Sequence, residues 1–186
     1  FEPQTEQEDM IFEENVFGGS VPKNYFPAVE KGLRESCLHG VLAGYPVVFL
    51  KATLVDGSYH PVDSSEIAFK LAANLAFKAA LPEAKPVLME PIGELKVTMP
   101  DNYVGDVMGD LNKRRGRVMG MNPTGDGETV LEAEVPMAEM MSYAIDLRSM
   151  TQSRGTFTFN FVRYEDCPAA AQEKAIAEAK ALAEAE

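Results

Sequence analysis

Between residues 94 and 161 the hydrophobic period switches repeatedly, and the order of the switches leaves few folds open. Leu95, Val97 and Met99 alternate with Glu94, Lys96 and Thr98, the period of a strand with one wet face. Pro100 and Asp101 then open a segment in which Tyr103, Val104, Val107, Met108 and Leu111 recur at helical spacing. A strand is expected at 117–121, followed by a glycine-rich turn at 122–127. Thr129, Leu131, Ala133 and Val135 alternate with Glu128, Val130, Glu132 and Glu134, a third strand. Pro136 opens a second helix, with Met137, Met140, Met141, Ala144 and Leu147 expected on one face. Phe157, Phe159 and Phe161 alternate with Thr156, Thr158 and Asn160 in a last strand. Strand, helix, strand, strand, helix, strand is the split βαβ, ferredoxin-like order. Gly105 and Gly109 lie inside the first of these helices, where each costs about 1 kcal/mol, so close packing of that helix on the sheet is expected.

The first half reads as a separate α/β module. A strand is expected near 10–17, ending at Gly18-Gly19, and a helix from Pro22 to about Leu38. Tyr45 to Leu54 alternates as a strand, and a loop runs from Val55 to Val62. Asp63-Ser64-Ser65-Glu66 has the side chains that cap a helix start, and a helix is expected from about Ser64 to Leu81. Its polar residues Glu66, Lys70, Asn74 and Lys78 recur every four positions, which predicts one narrow wet stripe on a helix covered on its other sides. Pro82, Pro86 and Pro91 mark the expected boundary between the modules. The divisions expected are therefore 1–84, 87–164 and an alanine-rich helical tail at 165–186.

Charge and composition exclude several classes. No run of about 18 apolar residues exists, so no helical membrane span is expected. Cys37 and Cys167 stand in no metal-ligand spacing, and the two histidines, His39 and His60, are isolated, so reduced thiols and no metal site are expected. The net charge is −12, but residues 1–22 and 165–186 together hold −10 of it, leaving the middle nearly neutral and open to local basic patches. The chain starts at Phe1 rather than Met, and the expectation is a piece of a longer protein.

No phosphate-cradling, nucleophile-elbow or zinc-protease motif occurs in the sequence, and no catalytic residue is assigned. Asp63, Glu66, Asp106 and Asp110 are the acids an enzyme reading would need, and each is already accounted for as a helix-start or solvated residue. Two features carry binding chemistry. Gly57-Ser58-Tyr59-His60 combines a turn, a stacking face and a ring with donors, types that suit exposed bases or RNA backbone. Lys113-Arg114-Arg115-Gly116-Arg117 places four bases at a helix end, where they complement the helix dipole or meet phosphates.

Longer motifs then narrow the choice. GGSVPKNYFPAVEKGL at 18–33, LAGYPVVFLKATLVDGSYHPVDSSEIAFKLAA at 42–73, KPVLMEPIGELKV at 85–97, GDVMGDLNKRRGRVMGM at 105–121 and VPMAEMMSYAIDLRSMTQSRGTFTFNF at 135–161 follow one another as they do in elongation factor G. The chain resembles the last two domains of that family over nearly all of residues 16–164. The resemblance implies a fold class of α/β and α+β. An incomplete domain IV, related to ribosomal protein S5 domain 2, lacks its first strand and one tip loop; a ferredoxin-like domain V and a C-terminal helix follow.

The resemblance also implies a role. The parent would be a cytoplasmic GTPase promoting translocation of tRNA and mRNA, with GTP and Mg in an upstream domain and no cofactor in this part. Ser58, Tyr59 and His60 would belong to the tip loop that reaches the tRNA–mRNA at the decoding site. Lys113, Arg114, Arg115 and Arg117 would meet rRNA or another domain of the same factor. Pro61 follows the tip histidine, where the family usually has an acidic or other polar residue, and this stiffens the loop. The alternatives within the resemblance are an elongation factor G-like paralogue or a ribosomal protection protein. Met10, Ile11 and Phe12 are expected beside an open strand edge through which copies could self-associate.

Overall fold

Buried side chains gather in two separate cores in the computed structural model, which describes residues 1–185. The chain divides accordingly into one unit of Phe1–Val87 together with the C-terminal stretch from Ala169, and a second unit of Leu88–Pro168.

In the first unit, β1 (Glu2–Pro3), β2 (Ile11–Glu14) and β3 (Leu50–Leu54) form a sheet of order β1-β3-β2. β2 runs parallel to β3, Ile11 beside Lys51 and Glu14 beside Leu54, and β1 runs antiparallel on the other side. The parallel pair is joined through α1 (Phe26–Cys37), a crossover that a parallel connection requires. A 3-10 turn, Lys23–Tyr25, leads into α1, with Pro27 in its first turn. α2 (Glu66–Glu83) packs on α1, and at Gly32 the two backbones meet. A Cβ there would lie 2.6 Å from the Lys70 carbonyl oxygen, so only glycine fits the crossing. Cys37 is buried beside Met10, its sulfur 3.8 Å from the Met10 sulfur, and burial pushes its thiol up to about 11.

Three expectations for this unit change. The strand expected from Tyr45 begins only at Leu50, because Phe49 sits at φ 57 and the preceding residues bond elsewhere. Val47 donates its N–H to the Cys37 carbonyl and Phe49 to that of Glu8. The predicted wet stripe of α2 holds only at its ends, where Glu66 and Lys78 are exposed, and its middle turns inward. Lys70 pairs with Glu35 at 2.6 Å, and Asn74 donates to the Ser36 hydroxyl at 2.8 Å, both towards α1. Phe69, Ala73, Phe77 and Leu81 take the inner face, while Ile67, Leu71 and Leu75 are 71, 58 and 67% exposed. Finally, Pro82 lies in the last turn of α2 and Pro91 within a strand, so the proline-marked boundary is shorter than expected.

The second unit follows the predicted order: β4 (Met89–Pro100), α3 (Val104–Lys113), β5 (Arg117–Pro123), β6 (Glu128–Pro136), α4 (Tyr143–Met150) and β7 (Thr156–Asp166). The antiparallel sheet has order β5-β6-β4-β7, which is ferredoxin-like. Leu95, Val97 and Met99 of β4 and Leu131, Ala133 and Val135 of β6 are fully buried with Val107 and Leu111 of α3 and Tyr143 and Leu147 of α4. The segment after Pro136 is not one helix. A 3-10 turn, Met137–Met140, ends where Ser142 adopts φ 65, and α4 restarts out of phase, so Met141 is 80% exposed and Tyr143 buried instead. Gly105 and Gly109 also depart from expectation. Nothing lies within 4 Å of where their side chains would stand; both face an open groove of about 490 Å³ beside α4. β7 extends past residue 164 to Asp166, and α5 (Ala169–Ala185) forms the tail.

Candidate functional site

The loop at 55–62 has no regular structure, yet its backbone is held from three sides. Gly57 rests directly on Val21: a Cβ there would come within 2.5 Å of a methyl of Val21, which is itself 2% exposed. The Gly57 N–H donates to the Asp56 carboxylate at 2.8 Å. His60 donates its N–H to the Ser64 hydroxyl at 2.9 Å, and its carbonyl accepts from the N–H groups of Asp63 and Ser64. The next residue, Ser65, caps α2 by accepting from the Ala68 N–H at 3.1 Å. Two adjacent serines thus divide the work, one tying the loop and one starting the helix.

Side chains on the loop point different ways. The Tyr59 ring lies against Tyr25, centroids 5.8 Å apart at 37°, and Tyr25 stacks on Phe69 at 4.5 Å and 25°. Tyr59 is 40% exposed, so part of the stacking face expected for a base is taken by Tyr25. Gly57, Ser58 and His60 are exposed. With both its backbone groups bonded, His60 is a fixed point presenting its ring to solvent.

The basic run resolves differently. Arg114 is enclosed, 13% exposed, and donates to the Asp110 carboxylate at 2.7 Å, to the Glu139 carbonyl at 2.6 Å and to the Asp146 carboxylate. Its guanidinium also sits 5.1 Å from the centre of the Tyr143 ring. Arg115, at φ 58, forms a bidentate pair with Glu90 at 2.8 and 2.7 Å and reaches Glu139 at 3.0 Å. Arg117 bonds Glu134 and Glu165, which Arg163 also engages. Burial works against the charge of Arg114, but Asp110 and Asp146 together outweigh it and raise its pKa. Glu90, with help from Glu139, raises that of Arg115 against the same opposing effect. Three of the four bases expected to meet RNA phosphates or another domain are therefore committed to carboxylates of their own unit. Lys113 is exposed and, among the described residues, has no ion pair. Asp110 is an i,i+4 partner that helical spacing could reveal, but Glu90, Glu134, Glu139, Asp146 and Glu165 come from sequence-distant segments that no local spacing shows.

Of the acids an enzyme reading would need, Asp63 and Glu66 are exposed on the loop and helix start. Asp106 and Asp110 line the α3–α4 groove with Lys113, Asp146 and Ser149, and Asp110 is already paired with Arg114. Among the described residues no group of three His, Cys, Asp or Glu side chains could hold a metal ion. None of their helices is long and apolar enough to cross a membrane.

Residues 1–85 match the family profile described as elongation factor G, domain IV, and residues 87–175 match that of the elongation factor G C-terminus. A crystal structure of a Thermus thermophilus protein superposes with a TM-score of 0.86 and 43% identity over 96% of this chain. The chain spans about a quarter of that protein, 26% of its length. With both halves matched in order and the ferredoxin-like sheet in place, the chain belongs to the elongation factor G family of translation factors.

Proposed function

We propose that the chain is a ribosome-contacting arm of a translational GTPase, and that His60 meets the tRNA–mRNA at the decoding site during GTP-dependent translocation in the cytoplasm. The observation that carries this reading is an exposed imidazole on a backbone fixed at Gly57, His60 and Ser64, within the half that matches domain IV. A preformed loop loses little conformational freedom on contact, which suits a steric and hydrogen-bonding element. No bond is made or broken at this loop in the proposed mechanism. GTP and Mg act in an upstream nucleotide domain, and hydrolysis there biases the conformations of the whole factor. Lys113 is the base of the 113–117 run that remains available to rRNA.

His60→Ala in the intact factor is expected to slow translocation about tenfold, roughly 1.4 kcal/mol of barrier, while GTP hydrolysis stays near its original rate. Equal loss of both rates would overturn the assignment. A second reading, an elongation factor G-like paralogue or a ribosomal protection protein, is favoured by Pro61, which departs from the residue the family usually carries after the tip histidine. Failure of the intact factor to support multi-round peptide synthesis, with ribosome binding retained, would select it.

A further inference from the structure

We infer that Tyr25 is the positioning residue that sets the direction of His60. This rests on the reading of His60 as the contact residue. One large side chain of the loop at 55–62, that of Tyr59, lies against Tyr25 while its outer part stays in solvent. Tyr25 in turn stacks on Phe69, which is 9% exposed and belongs to the core. Three rings therefore form a ladder from the interior of α2 to the residue immediately before His60. The other flank of His60 is tied to Ser64, one residue before the cap of the same helix. α2 thus grips the loop twice, through Phe69 and Tyr25 on one side and through Ser64 on the other. Tyr25 is the middle rung; it ends the 3-10 turn before α1, where its backbone lies at φ −96 and ψ −9. Neither α2 nor the loop alone sets the angle of the imidazole; the ring inserted from the start of α1 does.

The ring face carries this role, so Tyr25→Phe keeps it and Tyr25→Leu removes it. The chain has two histidines, His39 and His60, which makes the imidazole C–H resonances a direct readout with an internal control. In Tyr25→Leu the His60 resonances are expected to shift and broaden while those of His39 stay in place, and Tyr25→Phe is expected to leave both unchanged. Unmoved His60 resonances in Tyr25→Leu, or equal movement of both histidines, would overturn the inference. In the intact factor, Tyr25→Leu is expected to slow translocation about two- to tenfold without changing GTP hydrolysis. In a His60→Ala background it should add nothing; an additive loss would mean that Tyr25 acts through general stability and would overturn the inference. A normal translocation rate for His60→Ala itself would sink the contact reading, while the resonance measurement still decides whether Tyr25 positions the ring.

Discussion

Gly57 has no room for a side chain, and this makes it the most sensitive single position of the loop. Its neighbour Val21 is buried and β-branched, so the methyl 2.5 Å from the missing Cβ has little freedom to move. Gly57→Ala should cost about 1–3 kcal/mol, read as a lower urea midpoint, and Val21→Ala in the same chain should recover part of it. A midpoint within error of the original would show that the loop shifts freely. The residue types at 57–60 were legible in the sequence; their directions were not. Nothing local says that Tyr59 lies against another ring, because the one it meets stands at Tyr25, before α1. The same holds for Arg114, whose partners Asp146 and Glu139 arrive from beyond β6. Charge spacing identifies a basic run, but only the fold decides which carboxylates reach it first.

Helix α2 shows where periodicity stops short. It carries both an aromatic row and an aliphatic row, and hydrophobicity alone does not say which row faces the core. Phe69 and Phe77 bury, with Ala73 giving α1 room at Gly32. Ile67, Leu71 and Leu75 are left outside. Leu71→Gln with Leu75→Gln is therefore expected to change stability by no more than about 0.5 kcal/mol each, while Phe77→Ala costs about 3–5 kcal/mol. Thermal unfolding of the three variants checks this, and a large loss from the leucine pair would contradict the exposed stripe. By contrast, residues 94–99 of β4, 128–135 of β6 and 156–161 of β7 were legible because each keeps a period of two. The start of β4 and the end of β7 were not, since their register shifts between Ile92 and Gly93 and the alternation stops after Phe161. β3 starts later than its alternation suggests because Phe49 looks like any strand aromatic until its φ of 57 is seen.

Across the molecule, the acidic balance of −12 concentrates the consequences of low pH. Arg163, with Arg117 beside it, holds Glu134 and Glu165 below the ordinary glutamate value of 4.5. Ser142 and Arg114 hold Asp146 below the ordinary aspartate value of 3.8. On acidification the unfolded chain takes up these protons first. The stabilisation is therefore complete above about pH 4.5 and is lost as pH falls through the lower folded values. The urea midpoint is expected to fall steeply over that range, and Arg163→Gln should flatten the fall. An unchanged slope in Arg163→Gln would remove the glutamate pair from the account. The topology of the second unit was legible in its order of periods, whereas the first unit depends on short strands and a helix crossing at one glycine, features with little local signature.

The adjacent serines at 64 and 65 carry one more consequence. Ser64 accepts from the His60 amide and Ser65 from the Ala68 amide, so the loop and the first turn of α2 share a hinge one residue wide. Fraying of that turn is expected to release both protons to solvent together, and matched hydrogen-exchange rates of the His60 and Ala68 amides would check it. Protection of the His60 amide against hydrogen exchange is thus borrowed from a helix, although His60 itself lies in none.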